Sequence, residues 1–124
     1  MPAKPSKSAE FGPVFRELRA ILAKYEPTLK VVHDTQDYFY LDTHTIGKNK
    51  KPLMFGAVRV MKNYVSFHLM SIYMADQSGI SPALKARMQG KACFNFTEVD
   101  KALFKELAEI TKQGYDGWKK IKWV

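Results

Sequence analysis

Apolar positions change period along the chain, and each change marks out an element. Val14, Leu18, Ile21, Leu22 and Tyr25 recur at helical spacing with Phe15 beside them, while Arg16, Glu17, Arg19 and Lys24 take the other side. This predicts an amphipathic helix that lays one stripe on a core. Gly12-Pro13 is expected to open it, because proline's missing N–H costs nothing in a first turn, and Pro27 stops it. From Leu29 to Asp34 and from Asp37 to His44 the period is two, with Thr35-Gln36 as a tight connection. These runs read as strands. In the second, Phe39 and Leu41 point one way and Tyr38, Tyr40, Asp42 and His44 the other.

The firmest local pattern lies further on. Leu53 to Met61 and Tyr64 to Ile72 are rich in β-branched and aromatic residues and flank Lys62-Asn63, where Asn tolerates the positive φ of a two-residue hairpin turn. Such a turn pairs residue 61 with 64 and sets Gly56 opposite Leu69. Val58, Val60, Val65, Phe67 and Leu69 then share an apolar face fit to lie under helices. Phe55, Ala57, Arg59, Met61, Tyr64, Ser66, His68 and Met70 share the other, mixed face.

Beyond the hairpin, Asp76, Ser78 and Gly79 are turn residues, and Ser81-Pro82 caps a helix running from Ala83 to Gln89 that Gly90 ends. Ala92 to Phe96 is a short strand with Cys93 and Asn95 facing opposite to Phe94 and Phe96. Thr97, with Asp100 three residues on, has the look of a capping box and is expected to open the last helix. In that helix Leu103, Phe104, Leu107, Ile110 and Thr111 line one face. Gly114 and Gly117 loosen its end, and Tyr115, Trp118, Ile121 and Trp123 either continue the apolar face or recruit a partner.

Composition narrows the class. With 124 residues, 46% hydrophobic and a single cysteine, the chain reads as one packed domain over residues 11–124, behind a short disordered tail over residues 1–10. One cysteine allows no internal disulfide, which makes a reducing cytoplasm the natural compartment. No stretch has the length to span a bilayer, so a membrane is not an expected partner. The net charge of +8 favours anionic partners. It is scattered, however, over Lys48, Lys50 and Lys51, over Lys85, Arg87 and Lys91, and over the last few residues, and nucleic acid is not the expected partner.

The stretches Phe55-Gly56-Ala57-Val58, Tyr64 to Leu69, Ile80 to Lys85, Gly90 to Phe96 and Leu103 to Gln113 carry a family resemblance. From Leu53 to about Trp118 the chain resembles the YdhG-like family of small bacterial proteins of unknown function. The resemblance implies an α+β fold, with a single antiparallel sheet of about five strands and the N-terminal and C-terminal helices packed on one face. Some members are described as frataxin-like iron chaperones. That activity uses an acidic ridge on the first helix, where this chain has only Glu17 and Glu26 amid Arg16, Arg19 and Lys24.

Candidate chemistry is sparse. Gly47 beside lysines lacks the spacing of a phosphate-binding loop. His44 and His68 share an outer face with Asp42 and Tyr40 by strand parity, but no spacing demands a metal, and neither metal nor cofactor is expected. Ser66 and His68 stand about 6 to 7 Å apart along a strand, too far for direct proton transfer. Cys93, two residues from Lys91, is the usual half-buried thiol of a strand. No catalytic residue is assigned. The reading that follows is a binding module, with a second copy of the chain or a small anionic ligand on the mixed sheet face. Arg59, Tyr64, Ser66, His68 and Tyr40 supply polar contacts over a floor of Phe55, Ala57 and Met70, and Arg59 leads because its fork of donors suits a carboxylate or phosphate. A frataxin-like iron or other metal-binding protein, and an enzyme of unknown reaction, stay open as alternatives.

Overall fold

The computed structural model describes residues 7–48, 50–73, 79–90 and 92–124. Period-two alternation builds six strands: β1 (Lys30–Asp34), β2 (Tyr38–Ile46), β3 (Pro52–Val60), β4 (Val65–Leu69), β5 (Met88–Gln89) and β6 (Cys93–Phe96). They form one antiparallel sheet in the order β1-β2-β3-β4-β6-β5. Among the described residues the α-helices are α1 (Lys7–Ala23), α2 (Pro82–Lys85) and α3 (Lys101–Lys120), with short 3-10 helices at Glu26–Thr28 and Met70–Tyr73. The fold is therefore α+β, with the N-terminal and C-terminal helices on one face of the sheet.

That face is a closed core. Phe39, Leu41, Val58, Phe67, Leu69 and Phe94 are fully enclosed from the sheet side, and Val14, Phe15, Leu18, Leu22, Leu103, Phe104 and Leu107 meet them from α1 and α3. Each such side chain contributes about 1.5–3 kcal/mol through burial, which outweighs weak local preferences. Gly56 helps the layers close. A Cβ there would come within 3.0 Å of both the His68 carbonyl and Leu22, so glycine lets α1 lie tightly on β3.

The central hairpin has the expected register, with Val60 opposite Val65 and Gly56 opposite Leu69. Its turn differs, since Asn63 does not take a positive φ. The chain instead bends over residues 61–64 with the Met61 N–H donating to the Tyr64 carbonyl. A second departure matters more. Leu41 pairs with Gly56 but Asp42 pairs with Met54, so Phe55 is an extra residue, a β-bulge, in β3. Strict alternation puts Phe55 on the mixed face. The bulge turns it inward, where it is fully buried against Tyr25, Tyr115 and Trp118.

Several ends also move. Helix α1 starts at Lys7, inside the stretch expected to be a disordered tail, and carries Pro13 in its interior. Phe11 is buried, so packing holds the turn that the proline weakens. Residues 1–6 lie outside the described residues. Helix α2 stops at Lys85, and Met88–Gln89 pairs with β6 as an edge strand rather than continuing the helix to Gln89. Gly90, at φ +75°, turns the chain from β5 toward β6. Ser81 does cap α2, its hydroxyl accepting from the Leu84 N–H at 3.2 Å. Asp100, not Thr97, caps α3, accepting from the Leu103 N–H at 3.1 Å. The expected turn at Asp76 and Ser78 lies outside the described residues.

Helix α3 runs through Gly114 and Gly117 without breaking. Gly114 serves a close approach instead, since a Cβ there would collide with Ser71. The last residues fold back. Trp118 is buried, Trp123 packs on it at 5.4 Å, and the Trp123 carbonyl accepts from the Thr45 hydroxyl. The tryptophans thus continue the core, and only Ile121 among this group stays largely exposed.

Candidate functional site

The opposite face of the sheet carries no helix among the described elements, and its residues follow from register. Across β2, β3, β4 and β6, Tyr38, Arg59, Ser66 and Asn95 form one cross-strand row. The next row is His33, Tyr40, Ala57, His68, Cys93 and Gln89. Ala57 is the small member at the centre, with Tyr40 and His68 on either side and Arg59 two residues along. A short side chain ringed by long ones leaves a hollow. The face accordingly holds a cavity of about 470 Å³, with Ala57 in its lining and Met54, Met61 and Met70 as further apolar surface.

The walls are braced from outside. His33 stacks on Tyr38 at 4.6 Å, and Tyr38 and Tyr40 meet edge to face at 6.0 Å. The Arg59 guanidinium lies over the Tyr38 ring at 4.9 Å. This contact positions the cation without neutralising it. Arg59 has no ion-pair partner among the described residues. Lys51 and Gly47, from the β2–β3 loop, complete the rim. No carboxylate lines the cavity among the described residues, so Arg59 brings it an uncompensated cation.

The polar groups around it are linked. Burial pushes the Tyr40 phenol above its ordinary range, and the charge of neighbouring Asp42 adds to the rise. Burial also raises Asp42, against the opposing effects of Tyr40 and of Lys30. Its Oδ1 is enclosed without a hydrogen-bond partner among the described residues. His68 Nδ1 lies 2.9 Å from Cys93 Sγ on the neighbouring strand. Burial lowers the pKa of His68 and raises that of Cys93, the nearby Ser66 only partly offsetting the rise at the thiol. Both shifts favour a neutral pair, a thiol beside an uncharged imidazole.

Of the residues expected to bind ligand, Arg59, Ser66, His68 and Tyr40 line the cavity. Tyr64 lies just outside β4 in the hairpin loop and is not in the lining. Of the expected floor, Ala57 and Met70 line it, whereas Phe55 is in the core and Met54 takes its place. His44 is exposed and is not in the lining. Among the described residues no three His, Cys, Asp or Glu side chains gather as a metal site. Lys91 lies outside the described residues.

Sequence reasoning missed Gly47 and Lys51 as part of the site. It also missed the Cys93–His68 pair, which only the β4–β6 register discloses. A second concavity, of about 490 Å³, lies between α3 and the residues Ser71, Ile72, Gly79 and Ile80. Its walls are mostly apolar, and Glu106 there already accepts from the Ser81 N–H and hydroxyl, at 2.8 and 2.6 Å.

Compared with known proteins, the chain matches no family model, no curated protein and no solved structure. Among the described residues, no helix is long and apolar enough to cross a membrane.

Proposed function

We propose that this protein is a small binding module of the YdhG-like kind, and that its ligand is a small anion with an apolar body, seated on the uncovered sheet face. The observation that carries the reading is the cavity of about 470 Å³, which joins Arg59 to a methionine and alanine floor with no carboxylate in its described lining. Cavities of this size suit small organic ligands, and a few placed polar groups in an apolar hollow give orientation. Arg59 supplies the anchor, because a guanidinium binds a carboxylate or phosphate through two parallel hydrogen bonds.

The test is a chemical-shift titration of labelled protein with 4-ethylbenzoate and its neutral analogue 4-ethylbenzamide. The benzoate should perturb Ala57, Arg59 and His68, and the benzamide should bind far more weakly. Arg59→Ala should abolish benzoate binding while leaving the melting temperature nearly unchanged. Equal binding of both probes, or unfolding of Arg59→Ala, would sink the proposal.

A further inference from the structure

We infer that the Cys93 thiol and the His68 ring form a hydrogen-bond relay that presents a neutral Nε2–H donor at the cavity, so that the ligand carries an uncharged acceptor beside its anion. The acceptor is a carbonyl or hydroxyl oxygen. The inference rests on the cavity being a ligand site and specifies what that ligand must contain.

The direction of the relay follows from donor and acceptor strength. Cys93 Sγ lies 2.9 Å from His68 Nδ1. An imidazole nitrogen is a good acceptor and a thiol sulfur a weak one, so the S–H donates to Nδ1. The reverse arrangement would spend the ring N–H on sulfur and strand the S–H. With Nδ1 accepting, the ring hydrogen sits on Nε2. That nitrogen is enclosed and has no partner among the described residues. A buried donor without an acceptor is costly to leave unmade. The neutrality of both groups, set by burial, keeps the pair from acting as a thiolate nucleophile and makes Cys93 a positioning residue.

Register supplies the spacing. Arg59 pairs with Ser66 and Ala57 with His68, so Arg59 and His68 are diagonal neighbours across β3 and β4, roughly 7–8 Å apart along the backbone. An aromatic ring with an anion at one end and an oxygen at the other offers one polar group to each of these two residues. Met54 and Met70 share the lining. Their unbranched side chains re-pack readily, so an acceptor reaches Nε2 by displacing apolar atoms rather than a bound polar group.

The experiment has two arms. Nitrogen-15 spectra of the histidine rings in the free protein should show His68 as the Nε2–H tautomer. Cys93→Ala should yield a mixture of tautomers, and Cys93→Ser, which keeps a hydroxyl donor, should restore the single form. Finding Nδ1–H in the wild type, or no change in Cys93→Ala, overturns the relay. In the second arm, 4-acetylbenzoate should bind about tenfold more tightly than 4-ethylbenzoate, with the ratio falling toward one in Cys93→Ala. Equal affinities in the wild type overturn the acceptor requirement while leaving the relay standing. If neither benzoate binds yet the tautomer is Nε2–H, the ligand-site reading has failed and the acceptor requirement falls with it.

Discussion

The two faces of the sheet are made by alternate residues of the same strands and have opposite characters. On one, Phe39, Val58, Phe67 and Phe94 are closed under α1 and α3. On the other, Tyr38, Tyr40, Arg59, Ser66 and His68 surround Ala57 and leave a hollow. The covered face spends its side chains on contact with helices, so each atom removed there opens a void. The uncovered face spends its own on shape and charge, so changes there should alter binding before they alter stability. Core and candidate site are thereby divided between alternate positions along each strand, and the Phe55 bulge is where the division shifts register.

The sharpest way to break this contrast is to truncate one residue on each face. Phe67→Ala should cost about 3–5 kcal/mol in denaturant unfolding, because a fully enclosed ring leaves a cavity. Arg59→Ala, on the neighbouring strand but the other face, should stay within about 0.5 kcal/mol of the wild type. Comparable losses would mean that the uncovered face is structural.

A smaller effect concerns pH. His68 has a lowered pKa because burial disfavours its charged form. Below pH about 6.5 the unfolded chain takes up a proton that the folded ring resists. Stability contributed by the neutral ring is therefore present above that pH, falls as pH drops through it, and levels off below the folded pKa. The wild type should lose roughly 2–5 °C in Tm through this group between pH 7.5 and 5.5. His68→Gln should lose correspondingly less, and identical pH profiles would show that the ring is not desolvated as described.

The smallest expected effect is at Asp42. Its raised pKa means that the folded protein resists the carboxylate charge, so the charge is a cost at neutral pH. Asp42→Asn removes that charge and should raise Tm by about 1–3 °C at pH 7. The gain should shrink as pH falls through the folded pKa and the wild-type carboxyl protonates. A lower Tm would show that the carboxylate is needed as an ion rather than tolerated.

Much of the fold was legible because it depends on short-range periodicity. The helical stripe from Val14 to Leu22, the hairpin register from Gly56 to Leu69 and the facing of Cys93 against Phe94 all follow from spacings of two, three or four residues. So does the placing of Arg59, Ser66, His68 and Tyr40 on one face, since parity alone sets it. Features that depend on distant partners were not legible. Phe55 turns inward because a bulge meets the aromatic rings of Tyr25, Tyr115 and Trp118. Met88–Gln89 becomes a strand because an edge of β6 is there to pair with. The Cys93–His68 pair joins residues 25 positions apart, and the β2–β3 loop reaches the cavity only once the sheet is assembled. Local sequence determined which side chains share a face, because backbone geometry repeats every two or 3.6 residues. Tertiary structure decided which of them touch, because register between strands is a choice made by packing energy across the whole sheet.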